Sequence, residues 1–325
     1  MNAHHARNLG LDLVRATEAA ALAAGRYMGL GQPDEANLIA TDGMRTELDS
    51  LEMRGHIVIG EESHHQYKSS LDTGQIVGSG KGPEMDVVVD PIDGRRLLSQ
   101  GQAGAIAVAA VAPSDSMWSP TPGVYMEKIV VDREVGDALV EECLDAPAAW
   151  TLSLVARVKH REVRDLIVFV LDRPRHADLI DEIRSSGARV MLRPDGDISG
   201  ALLAASGLGK VDVMMGIGGV PEGVISACAV KSMGGAMLGR LAPQSEQERN
   251  RCEEAGLDMK RILSLVDIVS SNEIYFAVTG ITDGPLLDGV RYRGDVAETH
   301  SLILRCETMT RRFIRADHVL EEVRG

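Results

Sequence analysis

The sequence predicts a protein of the α/β class, because segments with strand character alternate with segments of helical periodicity. Leu166–Leu171 is a continuous apolar run typical of a buried strand, Ala177–Arg184 carries its apolar residues at helical spacing, and Arg189–Leu192 forms the next strand-like run. A strand, a helix and a strand in this order predict a parallel crossover unit. Farther along, the apolar run Val211–Met215 leads through glycines into a helix that Pro221 is suited to open.

The remaining elements agree with this class. Hydrophobic periodicity predicts an amphipathic helix from about Leu11 to Met28 and a second helix from Gly43 toward Met53. Apolar and β-branched runs predict further strands around Ile57, Val87, Ile106, Ile129, 274–278 and 302–304.

Length and charge bound the possible functions. With 325 residues the chain is long enough for one large or two moderate domains, each with its own core. A formal net charge of -14, without a long basic run, argues against general binding to nucleic acids or anionic membranes. The N-terminal residues lack the apolar core of a signal peptide, and the small-residue run Ala103–Ala112 is too short to span a bilayer. We therefore expect a cytoplasmic protein.

The cysteines lack metal-ligand spacing and are expected to be reduced structural thiols: Cys143, Cys228, Cys252 and Cys306.

The segment Asp86–Gly94 carries the strongest sign of chemistry. Its β-branched run is followed by two carboxylates, Asp90 and Asp93, around Pro91. The proline is expected to end the strand and the closing glycine to allow a sharp turn, so that both carboxylates and the Ile92 carbonyl converge at the carboxyl end of the strand. Oxygen ligands of this kind suit Mg²⁺ or Mn²⁺. The alternative is a turn in which the aspartates bond only to their own backbone.

Further acidic residues favour a metal site. A second apolar strand breaks at Gly60 and is followed directly by Glu61 and Glu62. Asp42 lies in a Thr-Asp-Gly triplet, and Glu222 follows a glycine-rich loop far downstream. Separated acidic positions of this number are sufficient to surround a small cluster of cations.

These motifs occur in the order of a known family. Thr-Asp-Gly at 41–43, Gly-Glu-Glu-Ser at 60–63, Asp-Pro-Ile-Asp-Gly at 90–94 and Gly-Gly-Val-Pro-Glu-Gly at 218–223 resemble the motifs of the metal-dependent, lithium-sensitive sugar and inositol phosphatases. Within that superfamily the chain most resembles the class II fructose-1,6-bisphosphatases. Further similar segments follow in the same order, at 125–128, 171–176, 195–197, 215–223, 279–284 and 299–302. The resemblance therefore covers most of the chain.

The resemblance implies a fold and a set of site residues. The fold is a layered αβαβα sandwich with two sheets and an active site between two domains. We expect a metal-binding domain over residues 1–160 and a substrate-binding domain over residues 161–325. The implied metal ligands are Asp42, Glu61, Asp90, Ile92, Asp93 and Glu222. The implied catalytic residues are Glu61, Glu62, Asp90 and Asp93.

Candidate substrate contacts come from segments beside these motifs. Arg173 and Arg175 follow a strand at its carboxyl end, where open α/β sheets bind ligands, although a solvated surface pair is the alternative. Tyr125 and Lys128 are candidates for contact with phosphate, or else an aromatic ring packed on a lysine stem. The acidic turn 195–197 either holds sugar hydroxyls or only shapes the turn. The full candidate set is Arg95, Tyr125, Lys128, Arg173, Arg175, Asp195, Asp197, Gly218 and Gly219.

The glycine-rich segment 216–221 has a rival interpretation as a dinucleotide cradle, because it follows a strand and precedes a helix. Proline occupies its sixth position, and no acid ends a clear strand about twenty residues later, so we disfavour that interpretation. In a phosphatase the same glycines would bring backbone N–H groups toward phosphate while Glu222 projects to the metals. Alternatively, Glu222 only stabilises the start of its helix.

The chain departs from the family at positions that matter. Gly31–Ile39 lacks the lysine of the family's Gly-Arg-Gly-Asp-Lys-Asn segment. Between Asp42 and Glu61 the chain is a few residues shorter than in the family. An ungapped comparison would therefore place Asn37 at the position of the first metal ligand. We prefer Asp42, because it keeps the Asp-Gly pair. Arg95 stands where the family has a threonine. The resemblance implies that the threonine hydroxyl helps to orient the attacking water, and an arginine has no hydrogen-bond acceptor with which to do so.

We therefore expect metal-assisted hydrolysis of a phosphomonoester, with fructose 1,6-bisphosphate as the first candidate substrate and water as the direct nucleophile. Glu61 or Glu62 is expected to accept the proton of that water. One alternative is a phosphatase for another phosphorylated sugar or polyol, such as sedoheptulose bisphosphate or an inositol phosphate. The other is a catalytically impaired paralogue that acts as a sugar-phosphate-binding or regulatory protein. We expect Mg²⁺ or Mn²⁺ as cofactor, no nucleic-acid or membrane partner, and a homo-oligomer, either a dimer or a tetramer.

Overall fold

The computed structural model of the chain describes residues 9–60 and 69–320. These residues form two β-sheets and ten α-helices, which confirms the predicted α/β class. The helices are α1 (Leu9–Gly25), α2 (Pro33–Asp49), α3 (Arg95–Ser99), α4 (Glu142–Asp145), α5 (Ala148–Val158), α6 (Ala177–Ser185), α7 (Asp197–Ala205), α8 (Val220–Met233), α9 (Glu246–Glu254) and α10 (Leu265–Ile268). The strands are β1 (Arg54–Ile59), β2 (Ile76–Val77), β3 (Glu84–Asp93), β4 (Ile106–Pro113), β5 (Tyr125–Val131), β6 (Ile167–Leu171), β7 (Arg189–Arg193), β8 (Val213–Gly219), β9 (Ala236–Leu241), β10 (Leu263–Ser264), β11 (Tyr275–Gly280), β12 (Arg291–Arg293), β13 (Val296–Arg305) and β14 (Thr310–Val319).

The described residues group into two compact units that are interleaved along the chain. The first unit takes the chain up to Ile92, then Leu98–Ser114, and finally the chain from Glu273 onward. The second unit takes Asp93–Leu97 and Asp115–Asn272. The division at residue 160 that we expect from the sequence stays a prediction about which parts of the chain act as domains.

The first unit is built on an eight-stranded sheet with the order β12-β13-β11-β4-β3-β1-β2, in which β14 also pairs with β13. Helix α1 packs on β4, β11 and β13, and α2 packs on α1. Small residues allow these close approaches, since Ala16, Ala20 and Ala24 of α1 are buried at helical spacing. A Cβ atom on Gly43 of α2 would lie 3.2 Å from the carbonyl oxygen of Ala19, which explains why a glycine is placed inside a helix.

The second unit is built on a six-stranded sheet with the order β10-β9-β5-β8-β6-β7. Strand β5 pairs antiparallel with β8 and β9, whereas β6 pairs parallel with β7 and β8. The predicted strand, helix and parallel strand are therefore confirmed as β6, α6 and β7. Their inward side chains join one apolar core, which includes Ile129, Leu152, Val168, Val170 and Val213.

Helix α2 and strand β3 have boundaries that differ from the sequence prediction for a physical reason. Helix α2 begins at Pro33, ten residues before the expected start at Gly43, with proline in its first turn where the missing N–H costs nothing. Strand β3 does not end at Asp90 but continues through Pro91 to Asp93. The pairing of β3 with β1 reaches only Val88, so the proline lies beyond the residues that need a ladder N–H toward β1.

Among the described residues, no helix is long and apolar enough to cross a membrane.

A buried polar cluster joins α1 to the sheet of the first unit. Glu18 is only 6% exposed, and its Oε1 atom accepts hydrogen bonds from the hydroxyls of Thr299 and Ser301 at 3.2 and 3.5 Å. The Thr299 hydroxyl also lies 2.9 Å from Nε2 of His318 on β14. Burial raises the pKa of Glu18, against the opposing effects of His318 and the two hydroxyls.

We predict that Glu18→Gln makes the stability of the protein less dependent on pH. A carboxyl group with a raised pKa binds its proton more tightly in the folded state, so it favours folding at low pH and loses that contribution as the pH rises through the raised pKa. The glutamine keeps an acceptor for Thr299 but does not ionise. Urea unfolding at a series of pH values from 4.5 to 8 should show the variant gaining stability relative to wild type as the pH rises.

The matched control is Glu35→Gln, which changes an exposed glutamate of α2. Its stability should follow the wild-type pH dependence. A Glu18→Gln profile that runs parallel to wild type would show that Glu18 does not titrate differently in the folded state.

Candidate active site

The two aspartates of the 90–94 motif are buried and held by backbone N–H groups. Asp90 is 7% exposed, and its Oδ1 atom accepts a hydrogen bond from the N–H of Ile92 at 3.0 Å. Asp93 is 4% exposed, and its Oδ2 atom accepts a hydrogen bond from the N–H of Ser199 at 3.1 Å. Ser199 lies in the first turn of α7, where N–H groups have no partner within the helix. Asp90 thus bonds to nearby backbone within β3, whereas Asp93 bonds to a distant segment.

Buried carboxylates are costly unless donors or cations compensate their charge. The expected ligand set consists only of oxygen atoms, which fits Mg²⁺ or Mn²⁺ better than a softer metal. The described residues contain no group of three or more His, Cys, Asp or Glu side chains placed to hold a metal ion. Glu61 and Glu62, which we expect to bind the metal and to take part in catalysis, lie outside the described residues.

Asn37 and Asp42, the two candidates for the first ligand, both lie on α2. Asn37 is 1% exposed and donates a hydrogen bond from Nδ2 to the Thr41 hydroxyl at 3.4 Å, whereas Asp42 is exposed. Residues five apart in a helix project about 140° apart, so the two side chains cannot serve the same ligand position. An asparagine oxygen is an acceptable ligand for a hard cation. The choice of Asp42 therefore stays a prediction, and the burial of Asn37 favours the alternative.

A buried ion pair forms the centre of the polar cluster in the second unit. Lys128 of β5 is 0% exposed, and its Nζ atom lies 2.6 Å from Oδ2 of Asp197, which is 5% exposed. Burial raises the pKa of Asp197, while the positive charge of Lys128 opposes that shift. Oδ1 of Asp197 has no hydrogen-bond partner among the described residues. Lys128 therefore fixes one oxygen of this carboxylate, and the other oxygen is buried without a donor among the described residues.

Two glycines of β8, Gly218 and Gly219, lie directly against charged side chains. A Cβ atom on Gly218 would lie 1.9 Å from Oδ2 of Asp197 and 2.5 Å from Nζ of Lys128. A Cβ atom on Gly219 would lie 1.8 Å from Oε2 of Glu222, in the first turn of α8. Any larger residue at either position would displace a charged group of the cluster.

The arginines after β6 also face this cluster. Nη2 of Arg173 lies 3.6 Å from Oδ1 of Asp195, whose Oδ2 atom accepts the N–H of Arg96 at 3.3 Å. The guanidinium of Arg175 lies 5.2 Å from the ring centre of Tyr125 and donates two hydrogen bonds to the carbonyl of Ile217, at 3.1 and 2.9 Å. Arg175 is exposed and Arg173 is half-buried, so the substrate contact and the solvated surface pair both stay predictions.

His176 is a structural residue that the sequence did not single out. It is 2% exposed, and its Nε2 atom accepts the N–H of Ile217 at 2.8 Å. Nδ1 must then carry the proton, which it donates to the carbonyl of Leu171 at 2.7 Å. Burial lowers the pKa of His176 and so favours this neutral form. His176 binds the N–H of Ile217 and Arg175 binds its carbonyl, so both polar backbone atoms of Ile217 are held. In the sequence, only the position of His176 next to the arginines indicated such a role.

Arg95 begins helix α3 and is half-buried. It belongs to the second unit, as do the other candidate substrate residues. The structure thus brings together, within that unit, Tyr125 with Arg175, Lys128 with Asp197 and Gly218, and Arg173 with Asp195.

Arginine side chains at the carboxyl end of a strand in an α/β fold are suited to bind phosphate oxygens, so the residues of the second unit are compatible with a phosphatase of the sugar-phosphate class. The comparisons with known proteins then place the chain within that class. It belongs to the family of bacterial fructose-1,6-bisphosphatases encoded by glpX, whose family model matches residues 7–318.

Two curated relatives match almost the whole chain. A protein of Synechococcus sp. (strain JA-3-3Ab) named D-fructose 1,6-bisphosphatase class 2/sedoheptulose 1,7-bisphosphatase is 38% identical, over 96% of this chain and 95% of its own length. The fructose-1,6-bisphosphatase 1 class 2 of Escherichia coli (strain K12) is 36% identical, over 97% of this chain and 96% of its own length. These similarities confirm the family that the order of the motifs indicated.

We predict that Gly218→Ala breaks the ion pair between Lys128 and Asp197. The new methyl group would lie well inside contact distance of both charged atoms, so one side chain must move. We expect a loss of about 1–3 kcal/mol in the free energy of unfolding, the usual cost of overpacking a filled site. Urea unfolding measures the loss.

Gly136→Ala is the matched control in the same unit, because its Cβ atom would meet only Ala236 Cβ at an ordinary 3.7 Å. It should unfold within about 0.5 kcal/mol of wild type. Equal stability of the Gly218 and Gly136 variants would contradict the close packing of Gly218 against the ion pair.

Proposed function

We propose that this chain hydrolyses a phosphomonoester of a sugar bisphosphate, converting fructose 1,6-bisphosphate to fructose 6-phosphate. The observation that carries the proposal is the family match over residues 7–318, joined to the polar cluster of the second unit. Both the Synechococcus and the E. coli relatives are named for this substrate.

The proposed substrate contacts follow from the charges in the second unit. Arg173 and Arg175 present guanidinium groups suited to phosphate oxygens, and Tyr125 beside Arg175 presents a hydroxyl. Oδ1 of Asp197, held in place by Lys128, is an acceptor for a sugar hydroxyl. The full proposed set remains Arg95, Tyr125, Lys128, Arg173, Arg175, Asp195, Asp197, Gly218 and Gly219, with Lys128 acting through Asp197.

Metal dependence follows from membership of this family, and we propose Mg²⁺ or Mn²⁺ as the metal. The proposed ligands are Glu61, Asp90, Ile92, Asp93 and Glu222, with Asp42 or Asn37. When bound, such cations make water more acidic and stabilise negative charge that develops during phosphoryl transfer.

The protein's own groups orient the reaction. The N–H of Ser199 fixes the carboxylate of Asp93, and the N–H of Ile92 fixes that of Asp90, so both carboxylates are pre-organised. Glu61 or Glu62 takes the proton of the attacking water. No covalent nucleophile is required, since direct in-line attack by water accounts for the products.

Two alternatives have specific support. The sedoheptulose 1,7-bisphosphatase named for the Synechococcus relative favours a second sugar bisphosphate as substrate. The missing lysine in 31–39 and the arginine at position 95 favour a catalytically impaired paralogue that acts as a sugar-phosphate-binding or regulatory protein. The cytoplasmic location and the homo-oligomeric state expected from the sequence also stay predictions.

We predict phosphate release from fructose 1,6-bisphosphate in the presence of Mn²⁺ or Mg²⁺. The assay should include sedoheptulose 1,7-bisphosphate, inositol monophosphate and sugar monophosphates. Asp90→Asn should lower kcat by more than about 100-fold, because changes even behind metal ligands cost about 10–100-fold. The amide oxygen can still accept the Ile92 N–H, so the fold should be kept.

Asp86→Asn makes the same change at another buried aspartate of β3 and should keep most of the activity. No turnover of any substrate by wild type, despite metal binding, would defeat the phosphatase proposal and favour the binding paralogue.

We predict that Arg95→Thr raises KM for fructose 1,6-bisphosphate about tenfold, the order expected when a charged hydrogen-bond donor is removed from a substrate site. Steady-state kinetics of the variant, with Arg96→Thr as the neighbouring control, measures the effect. A large rise in kcat for Arg95→Thr would instead mean that the arginine impairs the orientation of water.

A further inference from the structure

The buried carboxylate of Glu248 has no part in the site described above. Glu248 lies in the first turn of α9, whose N-cap is Ser245, and is only 3% exposed. Its Oε1 atom accepts the N–H groups of Val124 and Tyr125 at 2.9 and 3.0 Å. Its Oε2 atom accepts the N–H of Gln244 at 2.9 Å. A carboxylate that bonds only to backbone donors in this way fixes the course of the chain.

Val124 precedes β5, and the geometry where the chain enters the strand differs from that within a strand. In a regular strand successive N–H groups point to opposite sides, yet those of Val124 and Tyr125 converge on one oxygen of Glu248. Successive N–H groups that point the same way form a concavity that binds an anion. Here the anion is a side chain of the protein itself, and the N-terminal position on α9 favours its negative charge.

The carbonyl groups of the same two residues are also held. The Val124 carbonyl accepts the N–H of Val220, the first residue of α8, at 2.7 Å. The Tyr125 carbonyl accepts the N–H of Ala242 at 2.9 Å, and Tyr125 lies opposite Gly219 in the ladder of β5 and β8. Both sides of the backbone at Tyr125 are therefore fixed, and Glu248 supplies the whole of the N–H side.

We infer that Glu248 is a positioning residue that holds Tyr125 at the proposed sugar-phosphate site, an inference that rests on the proposed role of Tyr125. Glu248 acts through the backbone of residues 124 and 125 and touches neither substrate nor metal. Without its charge, residues 124 and 125 relax toward regular strand geometry and the Tyr125 ring moves from the Arg175 guanidinium.

The test compares Glu248→Gln, Tyr125→Phe and the double variant in the metal-loaded protein. Two constants are measured: KM for fructose 1,6-bisphosphate and the Kd for fructose 6-phosphate by calorimetry. Glu248→Gln should raise both about tenfold with kcat within about twofold of wild type, because a contact with a non-reacting part of the substrate affects binding uniformly. In the double variant, neither constant should exceed its value in Tyr125→Phe by more than about twofold.

Glu182→Gln is the matched control, since Oε1 of Glu182 accepts the N–H of Ala148 at the start of α5. Glu182→Gln should change neither constant. Combined with Tyr125→Phe, it should give the same constants as Tyr125→Phe alone. If Glu248→Gln does not fold, Glu248→Asp, which keeps the charge but withdraws it by one methylene, is measured in the same way.

The outcomes separate the two proposals. Unchanged constants in a folded Glu248 variant, or effects that multiply with those of Tyr125→Phe, would overturn the positioning role. Absence of turnover in wild type, with the coupling still present in Kd for fructose 6-phosphate, would defeat the proposed hydrolysis and leave the positioning role intact.

Discussion

The buried ion pair between Lys128 and Asp197 is the constraint around which the site of the second unit is arranged. A fully buried lysine is tolerated only because a carboxylate lies within hydrogen-bond distance, and removing either partner of such a pair typically costs about 3–5 kcal/mol. The pair joins the central strand β5 to the first residue of α7. It also explains the glycine at position 218, because any side chain there would occupy the space of the two charged atoms.

Around this pair, side chains bond repeatedly to backbone groups at the ends of elements. Arg175 and His176 hold the carbonyl and the N–H of Ile217, Asp93 holds the first turn of α7, and Glu248 holds the start of β5. Element ends are where backbone groups lack partners within the helix or ladder, so a charged side chain gains most there.

The family comparison and the geometry of the second unit support each other on different grounds. The match over residues 7–318 rests on the whole sequence, whereas the ion pair, the stacked arginine and the glycine contacts are properties of a few positions. The chain keeps the family match although it lacks the lysine in 31–39 and carries Arg95. A protein can keep a fold while its site changes, so the family match does not by itself fix the role of these positions.

The sequence by itself determined the α/β class, the crossover β6-α6-β7 and the family, because hydrophobic periodicity and the order of motifs are local properties of the chain. It also named the residues of the polar cluster. Only the tertiary structure decided that Lys128 is buried against Asp197, that α2 carries both Asn37 and Asp42 on different faces, and that His176 and Glu248 hold the backbone. These contacts join residues far apart in the chain, and no spacing within the sequence records which distant backbone group a side chain reaches.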